Sequence, residues 1–182
     1  MSKAHYVVTA VGENRTGIVA DISEVIFLSD CNIEDSQMSL LGDQFALLTL
    51  VSTKNEAAAQ ALSTACERLK AKNGMTVALF PVSARRSHPY QQVLNANFKL
   101  RVVGMDRSGI VCRTSRILAD RAVDIIDLTT HVTRAPESGS PVFTLEAHLG
   151  IPGEADVDGL QRELKALSDE LVVDILLYPM AL

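Results

Sequence analysis

The chain has 182 residues, of which 47% are hydrophobic and 21% charged, and its formal net charge is −5 at pH 7. This composition is typical of globular domains, and the acidic balance argues against general binding to nucleic acid, which needs a basic surface. We expect a cytoplasmic protein, because no apolar run reaches membrane-spanning length, the N-terminus lacks a signal-peptide pattern, and three widely spaced cysteines form neither a disulfide framework nor a metal site.

The first predicted elements are a strand, a turn with two glycines, and a helix. YVVTAV (6–11) is a short β-rich run, and GENRTGIV (12–19) follows it. Beyond the turn, apolar residues recur at helical spacing: Ile18, Val19, Ile22, Val25 and Ile26. Asn14 or Thr16 could cap this helix, and its free N–H groups offer a seat for a carboxylate or phosphate. Gly12 would leave room for an approaching backbone or ligand.

The first half continues with two strands, a second helix and a last strand. CNIEDSQMSLL (31–41) and FALLTLVS (45–52) are separated by the short turn Gly42-Asp43. A helix is indicated by apolar residues spaced by three or four: Ala58, Leu62, Ala65 and Leu69. MTVALFPV (75–82) ends the half, so its element order is β-α-β-β-α-β.

The same order then repeats after a polar segment, ARRSHPYQQVLNAN (84–97), which contains Pro89 and follows neither period. GMDRSGIV (104–111) repeats the eight-residue turn, with Asp106 or Ser108 as its candidate helix cap. The strands of the second half are FKLRVV (98–103), VDIIDLTTHV (123–132), VFTLEAHL (142–149) and LVVDILLY (171–178). We therefore predict an α+β chain with domains at 1–83 and 97–182 joined by a linker at 84–96. Each domain is a ferredoxin-like antiparallel sheet of four strands with two helices on one face.

No residue set in either half supports catalysis or metal binding. The four histidines, His5, His88, His131 and His148, are scattered, and no Cys/His cluster is present. Asp35 and Asp127 recur at matching positions of separate repeats, so they do not pair as acid and base. We expect no metal, no cofactor and no enzymatic activity. The repeated turn could equally be structural, because a duplicated fold duplicates its turns.

The paired motifs resemble the two copies of a tandem ACT domain. GENRTGIV with CNIEDSQMSLLG, and GMDRSGIV with VDIIDL, carry the resemblance, which covers nearly the whole chain outside the linker. The first half in particular resembles the glycine-cleavage-system transcriptional repressor group. This resemblance implies small modules that bind amino acids and regulate metabolism.

The resemblance also implies a ligand seat between adjacent ACT modules, where the loop before the first helix faces the start of a second strand. Carried over to this sequence, the seat of the first repeat comprises Gly12, Asn14, Gly17, Ile18, Asn32 and Ile33. Its counterpart in the second repeat comprises Gly104, Asp106, Gly109, Ile110, Asp124 and Ile125. The expected ligand is a small amino acid, glycine or serine. The two extra carboxylates of the second set favour an ammonium but oppose a carboxylate, so the two seats need not be equivalent.

Two regulatory functions are compatible with these features. The first is a non-catalytic amino-acid sensor that controls transcription of glycine cleavage through a DNA-binding transcription factor, without touching nucleic acid or membrane itself. The alternative is a detached regulatory subunit of an amino-acid metabolic enzyme. A third possibility, an enzyme with an unrecognised site, has no constellation to support it. A homodimer through the ACT domains is possible in each case, since a sheet edge can pair within or between chains.

Overall fold

The computed structural model describes residues 4–82 and 96–180. The chain divides into two compact units, Met1–Pro89 and Tyr90–Leu182. The predicted linker, 84–96, lies outside the described residues except for its last position, so its bounds stay a prediction.

The first unit follows the predicted element order. Its elements are β1 (Ala4–Glu13), α1 (Ile18–Leu28), β2 (Cys31–Leu41), β3 (Gln44–Thr53), α2 (Glu56–Asn73) and β4 (Thr76–Val82). The four strands form an antiparallel sheet in the order β2-β3-β1-β4.

The second unit repeats this arrangement. Its elements are β5 (Phe98–Met105), α3 (Ile110–Asp120), β6 (Asp124–Arg134), β7 (Pro141–Gly150), α4 (Val157–Leu171) and β8 (Val173–Pro179). The sheet order is β6-β7-β5-β8, again antiparallel. The predicted fold class, two ferredoxin-like βαββαβ modules in tandem, is confirmed.

Each core lies between one face of the sheet and both helices. In the first unit, alternate residues of β1 (Val8, Ala10) are buried in one cluster with Ile22 of α1 and Leu62 of α2. Because successive strand residues point to opposite faces, only one face of the sheet joins this cluster. The second unit has the equivalent cluster, which includes Leu100, Val102, Leu118 and Leu164. A single core per unit places the two helices of each unit on the same face of its sheet.

The second helix of each unit begins at a side-chain cap and ends at a left-handed residue. The Asn55 side chain accepts from the N–H of Ala58 at 2.9 Å, and the Asp156 side chain accepts from that of Gly159 at 2.8 Å. Gly74 and Val172 follow the helices with φ of 63° and 55°. The last strand, predicted from residue 171, begins at Val173, because Leu171 is the final residue of α4.

Candidate ligand-binding loops

The loop between β1 and α1 is held through its backbone. The N–H of Asn14 donates to the carbonyl of Asp43 in the β2–β3 turn at 2.8 Å. In the second unit the N–H of Asp106 donates to the carbonyl of Pro141 at 3.2 Å. Both side chains are exposed. The backbone thus anchors each loop and leaves the Asn14 and Asp106 side chains available to a ligand.

The helices that follow these loops have glycine as their N-cap residue. Gly17 and Gly109 have φ of 86° and 96°, and no side chain donates or accepts a capping hydrogen bond at either helix. The prediction that Asn14 or Thr16, or Asp106 or Ser108, caps the helix is therefore wrong. A left-handed N-cap favours glycine, since other residues are strained there. The exposed first turn of α1 keeps its positive helix end without a side-chain acceptor.

The first glycine of each loop is explained by close packing within its own unit. A Cβ on Gly12 would lie 3.1 Å from Cγ of Met75 and 3.3 Å from Cε1 of Phe45. A Cβ on Gly104 would lie 2.9 Å from Cβ of Val173 and 3.0 Å from its Cα. The sequence predicted that these glycines leave room for an approaching backbone or a ligand. The close approach is made by the residue that leads into, or begins, the unit's last strand, which agrees with the backbone alternative.

The isoleucines of the proposed seats divide into two kinds. Ile18 and Ile110, the first helical residues, are 3% and 1% exposed and belong to the two cores. Ile33 and Ile125, near the starts of β2 and β6, are 40% and 37% exposed. Ile18 and Ile110 can therefore contact a ligand only through their backbone atoms. Ile33 and Ile125 can contact one through their side chains.

Within one unit, the loop and the start of the second strand lie at opposite ends of the sheet. Gly12 is opposite Phe45 of β3, whereas Asn32 is opposite Ser52, seven residues further along. At about 3.3 Å per residue, this separates the two parts of the seat by roughly 23 Å. The second unit has the same separation, because Gly104 is opposite Phe143 and Asp124 is opposite Gly150. One unit alone therefore does not bring Asn14 and Asn32 together.

The start of β2 has polar neighbours that the sequence did not indicate. Nδ2 of Asn32 donates to Oε1 of Glu34 at 3.4 Å, and the same oxygen accepts from Oγ of Ser52 at 2.5 Å. A β-bulge lies between Ile33 and Asp35, and β6 has the matching bulge between Ile125 and Asp127. Comparison of the two repeats does not single out Glu34, because the second repeat has Ile126 at the corresponding position.

An open cavity of about 640 Å³ adjoins this strand start. Asn32 and Ile33 line it together with Cys31 and residues of α1, among them Ser23 and Phe27. Burial raises the pKa of the Cys31 thiol, and the nearby Asp30 carboxylate raises it further. The thiol is therefore largely protonated near neutral pH, which fits packing better than nucleophilic chemistry.

The loop arginine is held by its own helix. The Arg15 guanidinium forms an ion pair with Asp21 in the first turn of α1, and its Nη1 donates to the carbonyl of Thr16 at 3.3 Å.

Among the described residues, no group of three or more His, Cys, Asp and Glu side chains could hold a metal ion. The helices in the described part of the chain are all too short or too polar to cross a membrane.

Comparison with known proteins assigns the family. The ACT-domain model matches residues 4–79, which span β1 to β4. The chain belongs to the ACT-domain family. A UPF0237 protein of Methanococcus maripaludis is 31% identical over 72 residues, which cover 39% of this chain and 80% of that protein.

Whole-chain relatives carry the tandem arrangement. The glycine cleavage system transcriptional repressor of Escherichia coli is 26% identical over 172 residues, which cover 94% of this chain and 88% of the repressor. A crystal structure of an unknown protein from Galdieria sulphuraria shares 27% identity at a TM-score of 0.79, over 99% of this chain and 100% of that one. A candidate glycine cleavage repressor of known structure has the same fold, at 21% identity and a TM-score of 0.71 over both full chains. The predicted resemblance to this group is confirmed, and the homology supports a regulatory role.

Proposed function

We propose that this ACT protein senses a small amino acid and controls the transcription of glycine cleavage genes through a DNA-binding protein partner. The observation that carries the proposal is its likeness, along 94% of the chain, to a glycine cleavage system transcriptional repressor. A net charge of −5 disfavours direct contact with the phosphates of DNA, so we propose that the route to DNA passes through another protein.

The proposed seat uses the exposed start of α1. The positive end of this helix attracts the carboxylate of an amino acid. No side chain caps its first turn, and of its N–H groups that of Ile18 donates to the carbonyl of Arg15 at 3.4 Å. The amide oxygen of Asn14, or that of Asn32, can accept a hydrogen bond from the ligand's ammonium group. Asn14 follows Gly12 in the loop, and Gly12 and Asn32 lie roughly 23 Å apart along the sheet, so one small amino acid does not touch Asn14 and Asn32 of the same unit.

The two repeats should differ in affinity. Asp106 and Asp124 stand where the first repeat has Asn14 and Asn32. A carboxylate in the loop repels the carboxylate of the ligand, whereas an amide does not. We therefore place the sensing site on the first repeat's loop, with glycine or serine as its ligand.

Calorimetric titration of glycine and serine into the full chain tests the sensing step. Loss of a hydrogen bond to a charged group costs about 1.5–3 kcal/mol, so Asn14→Ala should weaken binding roughly ten- to a hundredfold. Its matched control, Asp106→Ala, changes the same position of the other repeat and should leave this affinity unaltered. The melting temperature should stay constant in both variants, because each side chain is exposed. Absence of binding at millimolar ligand would reject the sensing function.

The regulatory step requires that ligand and partner influence each other. Capture of the partner on the immobilised chain should recover a DNA-binding transcription factor. Glycine should change the affinity of the chain for this partner by about five- to 150-fold, and the partner should change the affinity for glycine by the same factor. A gel shift with the chain alone serves as the control. A specific shift of naked DNA, or a partner affinity that ignores glycine, would contradict the proposal.

A further inference from the structure

At the start of β2, one carboxylate oxygen holds two neighbouring side chains. Oε1 of Glu34 accepts a hydrogen bond from Oγ of Ser52 at 2.5 Å and a second from Nδ2 of Asn32 at 3.4 Å. Asn32 and Ser52 lie opposite each other in the β2–β3 pair, so their side chains are neighbours on the same face of the sheet. Glu34 is the extra residue of the bulge between Ile33 and Asp35, and bulges change the direction of a side chain. The three polar side chains thus form one hydrogen-bonded chain across two strands.

The contact with Glu34 decides which end of the Asn32 amide is free. An ionised carboxylate only accepts hydrogen bonds, so Asn32 must turn its donor, Nδ2, toward Glu34. The acceptor, Oδ1, then points away from Glu34, and Asn32 is exposed, so a ligand can reach it. Without Glu34 the terminal torsion of asparagine has two roughly equivalent settings, which exchange Oδ1 and Nδ2. Glu34 selects one of them.

Ser52 in turn fixes Glu34. It is 3% exposed and lies in β3, which pairs with both β1 and β2. A hydroxyl group has one proton to donate, and Glu34 receives it, whereas Nδ1 of His5, opposite Ser52 in β1, is buried without a hydrogen-bond partner among the described atoms. The distance of 2.5 Å is typical of a hydroxyl that donates to a charged carboxylate. A glutamate on an edge strand is thereby held by a central strand.

The second repeat keeps the bulge but lacks these polar side chains. The extra residue of the bulge in β6 is Ile126. Gly150, which has no side chain, is opposite Asp124 at the start of that strand. The bulge and the strand pairing therefore form without a carboxylate at the first position and without a hydroxyl at the second. Since the fold does not require Glu34 and Ser52, their hydrogen bonds indicate a role that belongs to the first repeat alone.

We propose that Glu34 is the positioning residue of the amino-acid site: held by Ser52, it turns the Asn32 amide so that Oδ1 accepts a hydrogen bond from the ammonium group of the ligand. An ammonium group has only donors and a carboxylate only acceptors, so Oδ1 selects the first and Nδ2 would select the second. Binding groups hold their geometry when hydrogen bonds behind them lock their rotamers. This role rests on the proposed function for its amino-acid ligand, and adds which end of the ligand meets β2 and which residue decides it.

The orientation of Asn32 can be measured without a ligand. In proton–nitrogen NMR spectra of the full chain, relaxation of the Asn32 side-chain amide, assigned with Asn32→Ala, should show restricted motion. Glu34→Ala and Ser52→Ala should both make this amide mobile, because each removes one link of the hydrogen-bonded chain. Asp35→Ala is the matched control: it removes the next carboxylate of β2, which accepts from the N–H of Ser36 at 2.7 Å, and should leave the Asn32 amide unchanged. Melting curves establish that each variant is folded.

Calorimetric titration of glycine, and of its hydroxyl analogue glycolate, measures the effect on the ligand. Glu34→Ala should weaken glycine binding roughly two- to tenfold, which corresponds to the cost of ordering one side chain on binding. Glycolate should lose less, because a hydroxyl group can donate to Oδ1 or accept from Nδ2. The preference for glycine over glycolate should therefore fall in Glu34→Ala and Ser52→Ala and persist in Asp35→Ala. Glu34→Gln, which keeps an acceptor oxygen, should largely retain it.

A residue with a merely structural role would weaken the binding of glycine and glycolate by the same factor, so an unchanged preference in Glu34→Ala would overturn the positioning role. Equal losses in Glu34→Ala and Asp35→Ala, or an Asn32 amide that stays restricted in Glu34→Ala, would overturn it as well. Failure of the sensing function gives a different result. The wild type would then bind neither glycine nor serine although NMR shows Asn32 held by Glu34, and the ligand role of Glu34 would be rejected together with sensing. Glycine binding that is unchanged in Glu34→Ala rejects the role of Glu34 alone.

Discussion

Val172 adopts a backbone conformation in which glycine is more stable. It follows α4 as the C-cap residue with φ 55° and ψ 52°, in the left-handed region, and its side chain is 70% exposed. The first repeat has Gly74 at the corresponding helix end, with φ 63°. A left-handed residue other than glycine costs about 1–2 kcal/mol, and branching at Cβ makes valine one of the least suited residues.

Val172→Gly should therefore stabilise the second unit. Relief of about 1–2 kcal/mol is offset in part by the larger entropy of glycine in the unfolded chain, about 0.4–1 kcal/mol, so the expected net gain is about 0–1.6 kcal/mol. The helical hydrogen bond from the N–H of residue 172 to the carbonyl of Ser168 is a backbone contact and remains. For a domain of this size, 1 kcal/mol moves the melting temperature by roughly 4–8 °C.

The opposite change, Gly74→Val, tests the same reasoning in the first repeat. A Cβ built on Gly74 meets no atom within 4 Å, so the new side chain causes no clash and its cost comes from the backbone. We expect destabilisation by about 0–1.6 kcal/mol, from the same two terms with opposite sign. Scanning calorimetry and urea unfolding of the full chain measure both variants. If Val172→Gly lowers the stability, or if both changes have the same sign, the backbone explanation is wrong.

Three further changes have defined outcomes. Oγ1 of Thr114 is buried without a hydrogen-bond partner among the described atoms, and the first repeat has Ile22 at this position. Thr114→Val should therefore raise the free energy of unfolding, measured by urea titration, by about 1 kcal/mol. Gly104→Ala should destabilise the chain by about 1–3 kcal/mol in calorimetry, because the new Cβ would press on Cα of Val173. Gly12→Ala should lower the stability by less, because the flexible Met75 side chain can move. Burial raises the pKa of the Cys31 and Cys66 thiols, so exposed Cys112 should react first with iodoacetamide, and mass spectrometry should find the other two labelled only at higher pH or after unfolding.

The element order was predictable because each unit buries one face of a sheet against two helices. That arrangement imposes alternation on strands and three-to-four spacing on helices, so Val8 and Ala10 of β1, or Leu62 of α2, identify their elements. Boundaries were less predictable where apolar residues continue past an element's end. LVVDILLY reads as one run, yet Leu171 completes α4, Val172 forms its cap, and β8 begins at Val173.

The candidate site was less predictable, because the contacts that explain its glycines are distant in sequence. Nothing near Gly12 in the chain indicates Met75, and nothing near Gly104 indicates Val173. The helix caps failed for a local reason. Asn14 and Thr16 are good capping residues, but the left-handed Gly17 takes the N-cap position instead. The polar group of Asn32, Glu34 and Ser52 depends on strand pairing and a bulge, which periodicity does not reveal.

The duplicated turn separates into residues that the fold requires and residues that it does not. Gly12 is required by close packing, Gly17 by its left-handed φ, and Ile18 by burial in the core. The Asn14 side chain is exposed, and the hydrogen bond that anchors its position comes from the backbone N–H. Asn14→Asp, which copies the second repeat, should therefore leave the melting temperature unchanged while it weakens glycine binding. A lower melting temperature with intact binding would instead make Asn14 a structural residue, and the amide would lose its proposed part in sensing.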